Sequence, residues 1–142
     1  MKAQVSVEFL IVIGVMMVLL LPVIVYAFSV LNFENQIRID ISKSQTALDR
    51  ISNTVDSVGS AGTGSALYTD IFVSKVQNVR IENANQGEII FTLLTSDGTT
   101  SMYRITQYNL TNSDNSLENI KTGNYRLLIN ATNSTHVDIS MP

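Results

Sequence analysis

The sequence contains no cysteine. Disulfides, thiolate metal sites and cysteine nucleophiles are therefore excluded, although an exported chain need not use disulfides, so the absence fixes no compartment. Histidine is nearly absent as well. His136 is the only one, which rules out a multi-histidine metal site and any His–Cys relay. A Ser-His-Asp set would have to use His136, yet no Gly-x-Ser-x-Gly elbow occurs, and between Thr135 and Val137 it reads as a surface strand residue. Nine Lys and Arg stand against twelve Asp and Glu, for a net charge of −3. The bases form no stripe, so no nucleic-acid partner is expected. The acids Asp70, Glu82, Glu88, Asp97, Asp114, Glu118 and Asp138 lack the spacing of a calcium loop or a catalytic pair. The loop at Asp114 has room for a cation, with a solvated loop as the simpler reading. No catalytic residue, cofactor or metal is expected from this chain.

Charge is also missing from one long stretch. From Phe9 to Leu31 no residue carries a formal charge, and Leu, Ile, Val and Met dominate. At about 1.5 Å of rise per residue, a helix over this run crosses the roughly 30 Å hydrocarbon layer of a bilayer. One acid, Glu8, stands immediately before it. A carboxylate at the edge of lipid is costly and implies a purpose or a partner. Val25-Tyr26-Ala27 also matches a small-x-small secretory cleavage site, but the apolar run is long for a signal core of about 7–15 residues and Glu8 is out of place in one.

The apolar run continues into an amphipathic pattern. Ile37, Ile41, Ser44, Leu48, Ile51, Val55 and Val58 alternate in steps of four and three, six of them apolar, with polar residues between. That spacing predicts a narrow helical seam. No Pro or Gly falls between Val23 and Val58, so the expected helix spans 4–58 and is on the order of 80 Å long. A joint near Asn32, giving two helices, is the alternative. Pro22 removes a backbone donor to Val18 and predicts a kink or a loosened turn, and Gly14 offers a weak point or a place for close helix approach. Both are also compatible with ordinary membrane-helix residues.

Gly59-Ser60-Ala61-Gly62-Thr63-Gly64-Ser65 then predicts a helix stop and a linker over 59–65. It is not a phosphate loop, because no strand precedes it and no Lys-Ser/Thr follows. Beyond it the period changes to two. Strands are expected over Ala66–Val73, Val76–Glu82, Glu88–Thr95, Ser101–Leu110, Asn124–Ala131 and His136–Ser140, with an Asp97-Gly98 hairpin and a polar loop over Thr111–Gly123. The fold class is α+β: a long N-terminal hydrophobic helix followed by a small antiparallel β-sandwich or barrel head over 66–142. About 80 residues bury only a modest core, and the second half of the helix would supply a further apolar face. Asn109, Asn130 and Asn133 begin Asn-x-Thr sequons, candidate glycosylation sites on an outward-facing surface.

The opening motif carries a resemblance. Gln4-x-Ser6-x-Glu8 behind the short basic leader Met1-Lys2-Ala3, with an aliphatic Val12 four residues past the acid, resembles the class III signal sequence of archaeal type IV pilins. Archaellins share a helix-plus-head layout, but this opening is more similar to the pilin group. The resemblance implies cleavage of leader 1–3 by a prepilin peptidase between Ala3 and Gln4, on the cytoplasmic side. It further implies that Gln4 becomes the new N-terminus and that Glu8 pairs with a neighbour's terminal amine during assembly. The implied partners are identical subunits in a homopolymer, the peptidase and pilus assembly machinery, and the membrane before assembly. The implied product is an extracellular filament serving surface attachment. The competing reading is a monomeric membrane-anchored surface protein whose head binds a ligand or the cell envelope.

Overall fold

The structure, a computed structural model, describes the backbone of residues 2–95 and 98–142, and side chains at 7–95, 98–118 and 120–142. The fold class is α+β, with one long N-terminal helix followed by strands in two sheets. The chain divides into two compact units, residues 1–38 and 39–142.

Helix α1 runs Lys2–Ala61 with helical geometry maintained through Pro22 and Asn32. The alternative of two helices jointed near Asn32 is therefore not what the chain adopts, and Pro22 does not melt its turn. The helix also passes Val58 and takes in Gly59. Gly59 is not a stop signal here. Its missing side chain makes room for Tyr108, whose ring a Cβ at this position would overlap. The stop comes at Gly62, which adopts φ 96° and donates its N–H to the Gly59 carbonyl at 3.2 Å. This is the left-handed cap geometry that glycine adopts without penalty. The Ser65 hydroxyl then reaches back to the Val58 carbonyl at 2.7 Å.

In the second unit the seam buries Ser44, Leu48, Ile51, Val55 and Val58, together with Ala47. Seven strands follow: β1 Ala66–Val73, β2 Val76–Asn83, β3 Gly87–Thr95, β4 Gly98–Thr106, β5 Asn109–Thr111, β6 Gly123–Ala131 and β7 His136–Ser140. One sheet has the order β1-β6-β7-β5 and the other β2-β3-β4. The two sheets are not closed on one another, so the barrel alternative is set aside. All pairings are antiparallel except β5 with β7, which is parallel. Alternate residues of both sheets, Val73, Leu127, Ile129, Val137 and Ile139 on one and Val79, Ile89, Phe91 and Leu93 on the other, share a single core with the helix seam.

The helix fills the open side between the two edge strands β1 and β4. Arg50 donates to the Asp70 carbonyl of β1 at 3.3 Å, and the adjacent Asp49 accepts a short hydrogen bond from Arg104 of β4. Further along, Asp56 accepts the Gln107 N–H at 2.9 Å. That bond explains why the expected strand Ser101–Leu110 is two strands. Once the Gln107 N–H is committed to the helix, it cannot serve a ladder, and β4 ends at Thr106. The expected hairpin between β3 and β4 closes on the pair Thr95 and Gly98, the latter at φ 127°. Its turn residues Ser96 and Asp97 lie outside the described residues. Within the expected polar loop, Ser116–Asn119 form a short 3-10 turn.

Candidate assembly surface

Between Val7 and Phe33 the sequence holds one charged residue, Glu8. The helix here is long and apolar enough to cross a membrane, and none of its most apolar window is buried within the chain. Phe9, Leu10, Met16, Val18, Leu19, Val25 and Phe28 are each more than half exposed. Soluble monomers rarely leave contiguous apolar surfaces above a few hundred Å² uncovered, and those that do use them for a partner or a bilayer. Leu and Met suit either environment, being good helix formers that give every side of the rod an apolar coat.

Glu8, Gly14 and Ser29 are among the positions that interrupt that coat. Glu8 is exposed, and none of the four ion pairs among the described residues includes it. Gly14 has nothing within 4 Å of where a Cβ would stand, so its bareness is not required by this chain's own packing. Ser29 folds its hydroxyl back onto the Tyr26 carbonyl at 2.8 Å, the way hydroxyls hide their polarity in apolar helices. The side chains of Ala3 and Gln4, the candidate peptidase and assembly residues, lie outside the described residues, as does Met1.

In the second unit the three sequon asparagines separate by environment. Asn109 opens β5 beside His136, and its N–H donates to the Thr135 carbonyl at 2.9 Å. Asn133 lies in the β6–β7 turn, where its side-chain oxygen accepts from the N–H groups of Thr135 and His136, both at 2.8 Å. Asn109, Asn133 and His136 are thus brought to one end of the sheet. Asn130 instead sits within β6, half-buried and opposite Asp138.

Several organising residues carry no local signal. Ser44, the polar step in the seam, is fully buried, donating to the Ser74 carbonyl at 2.8 Å and accepting the Ser74 N–H at 3.3 Å. The Asn83 amide donates to the Leu110 carbonyl at 2.7 Å and accepts the Leu110 N–H at 2.8 Å. It acts as a borrowed backbone unit joining the two sheets. Asp138 accepts from the Thr111 hydroxyl and from both the N–H and the hydroxyl of Ser113, pinning the loop that follows β5.

Two carboxylates near these joints titrate below the usual aspartate range. Asp40 is held down first by the Ser74 hydroxyl at 2.7 Å, against the opposing effect of burial, and then by Lys75 at 3.0 Å. For Asp114 burial pushes upward, but hydrogen bonds from Ser116 and the Met141 N–H outweigh it. That carboxylate is therefore occupied with its own loop. A depressed folded-state pKa stabilises the fold above the unfolded pKa and loses that contribution as pH falls through the folded value. The melting temperature in detergent should accordingly be level near neutrality and decline below about pH 4. An Asp40→Asn variant should melt lower at pH 7 and decline less steeply in acid; an unchanged acid slope would remove Asp40 from this account.

Among the described residues no three of His, Asp or Glu gather where they would hold a metal ion. No family model, curated protein or solved structure matches the chain.

Proposed function

We propose that this chain is a structural pilin subunit that polymerises through its N-terminal helix into an extracellular type IV pilus-like filament serving surface attachment. The observation that carries the reading is the uncovered apolar helix entered through a single acid. An apolar coat on every side suits storage in a membrane and, afterwards, burial against copies of the same helix. Glu8, at the edge of that coat, gains most where a neighbouring chain offers a cation in low dielectric. The Gln4-x-Ser6-x-Glu8 opening supports this reading through its resemblance to archaeal type IV pilins. The second unit has its own core and would stay folded while the apolar helix exchanges lipid for protein.

The alternative, a monomeric membrane-anchored surface protein, uses the same helix only as an anchor. Intact-mass measurement of the protein recovered from its native membrane or surface fraction separates the two. The filament reading expects a chain beginning at Gln4, short by Met1-Lys2-Ala3. A mature chain that retains those three residues would overturn it.

A further inference from the structure

The outer faces of the two sheets carry apolar side chains where an antiparallel sheet facing water is normally polar. On the first sheet, β1 turns Tyr68 and Phe72 outward, with Tyr68 60% exposed. Bases surround them: the Lys43 ammonium lies 5.2 Å from the centre of the Phe72 ring, and Arg50 and Arg126 flank Asp70, which Arg126 grips at 2.8 and 3.0 Å. Lys43, Arg50 and Arg126 outnumber Asp70 and the Asp40 that Lys43 also faces, and leave this face positive.

On the second sheet, β4 turns Tyr103 and Ile105 outward, 58% and 54% exposed. Across the ladder they meet Ile90 and Glu88, and Glu88 in turn stands opposite Glu82. Like charges placed directly across a ladder are destabilising. Arg80 relieves only Glu82, at 3.1 Å, and among the described residues Glu88 has no ion-pair partner. This face is apolar and negative.

The inner residues of both sheets share one core, so these two outer faces point away from one another. A positive aromatic face and a negative aromatic-aliphatic face on opposite sides of one unit cannot satisfy each other within the chain, yet they complement each other between copies. We propose that the heads of successive copies dock head-to-tail, the Tyr68–Phe72 face of one on the Tyr103–Ile105 face of the next. The occupant of each face is a second copy of this chain, and the proposal rests on the filament reading above. Such a heterologous contact does not close into a dimer and propagates along an open assembly. Heads tethered side by side by their helices need less contact than the roughly 800 Å² per partner of a stable independent complex. The heads therefore associate once the helices hold them at high effective concentration.

The absence of cysteine makes the test clean. Filaments built from a Tyr68→Cys/Ile105→Cys double variant and treated with a short bismaleimide should give a denaturant-resistant ladder extending beyond dimers. Either single variant should run as a monomer. Normal filaments without a ladder overturn the docking and leave the filament reading intact. Dimers from a single variant overturn the head-to-tail arrangement in favour of a symmetric one, whereas an unmodified chain that forms no filament overturns the reading beneath both. Should the double-cysteine chain not assemble, Lys43→Glu and Glu88→Lys decide the matter. Each alone should make filaments fall apart at lower temperature in low salt, and together they should restore resistance. No restoration overturns the docking.

Discussion

Cells expressing Glu8→Ala in place of the native chain should carry few or no surface filaments, while the protein accumulates in the membrane fraction. The expectation follows from charge in a poor solvent. Glu8 is the only residue with a formal charge between Val7 and Phe33, and in the isolated chain it is exposed. In the proposed bundle the same carboxylate would be surrounded by apolar side chains and would need a cation. Removing one partner of a buried pair costs about 3–5 kcal/mol, and each 1.4 kcal/mol is roughly tenfold in an equilibrium. Adding each subunit should then become at least about 100-fold less favourable, which a polymer cannot absorb. Electron microscopy of the cells gives the readout. Filaments of normal number and length containing the variant would show that Glu8 has no part in assembly.

The second large effect concerns the head. Phe91→Ala should lower stability by about 3–5 kcal/mol, the usual cost of truncating a buried phenylalanine. Phe91 is fully buried in the central strand of its sheet and belongs to the core shared with the helix seam. For a domain of about this size, 1 kcal/mol moves the melting temperature by roughly 4–8 °C, so a fall of more than about 12 °C is expected. Leu94→Ala supplies the control, because Leu94 lies on the same strand but faces outward at 57% exposure. Its effect should stay within about 0.5 kcal/mol. Equal losses from the two variants would mean that the inward register of β3 is wrong.

Periodicity was the most readable feature of the sequence. The four-three spacing from Ile37 predicted the buried helix face, and the change to a period of two after residue 65 predicted the strands, because both patterns record which side of an element meets the core. What stayed hidden depends on residues far apart in sequence. Gly59 reads locally as a helix stop, and only the Tyr108 ring, brought in from beyond β4, explains why glycine stands inside the helix. The break between β4 and β5 is likewise set by Asp56 on the helix, which no pattern around Gln107 announces. Ser44 appears as a flaw in an apolar seam until Ser74 is placed against it. On the candidate surface, the apolar run and Glu8 stand out on composition alone. The charged and aromatic outer faces of the sheets do not, since each mixes residues from strands distant in sequence.

The strand order β1-β6-β7-β5 also governs how the head can be made. β5 precedes β6 and β7 in the chain, yet its place in the sheet is beside β7, the last strand. Its ladder cannot form as it is synthesised and must wait for residues 136–140. Until then Asn83 and the neighbouring β2 are the partners it can reach early. The apolar helix, long and apolar enough to cross a membrane, is complete long before this point, while the head is still open. Long-range closure of this kind slows folding. The final insertion of β7 between β6 and β5 therefore acts as the latch, and a nascent chain reaches its mature head only after that step.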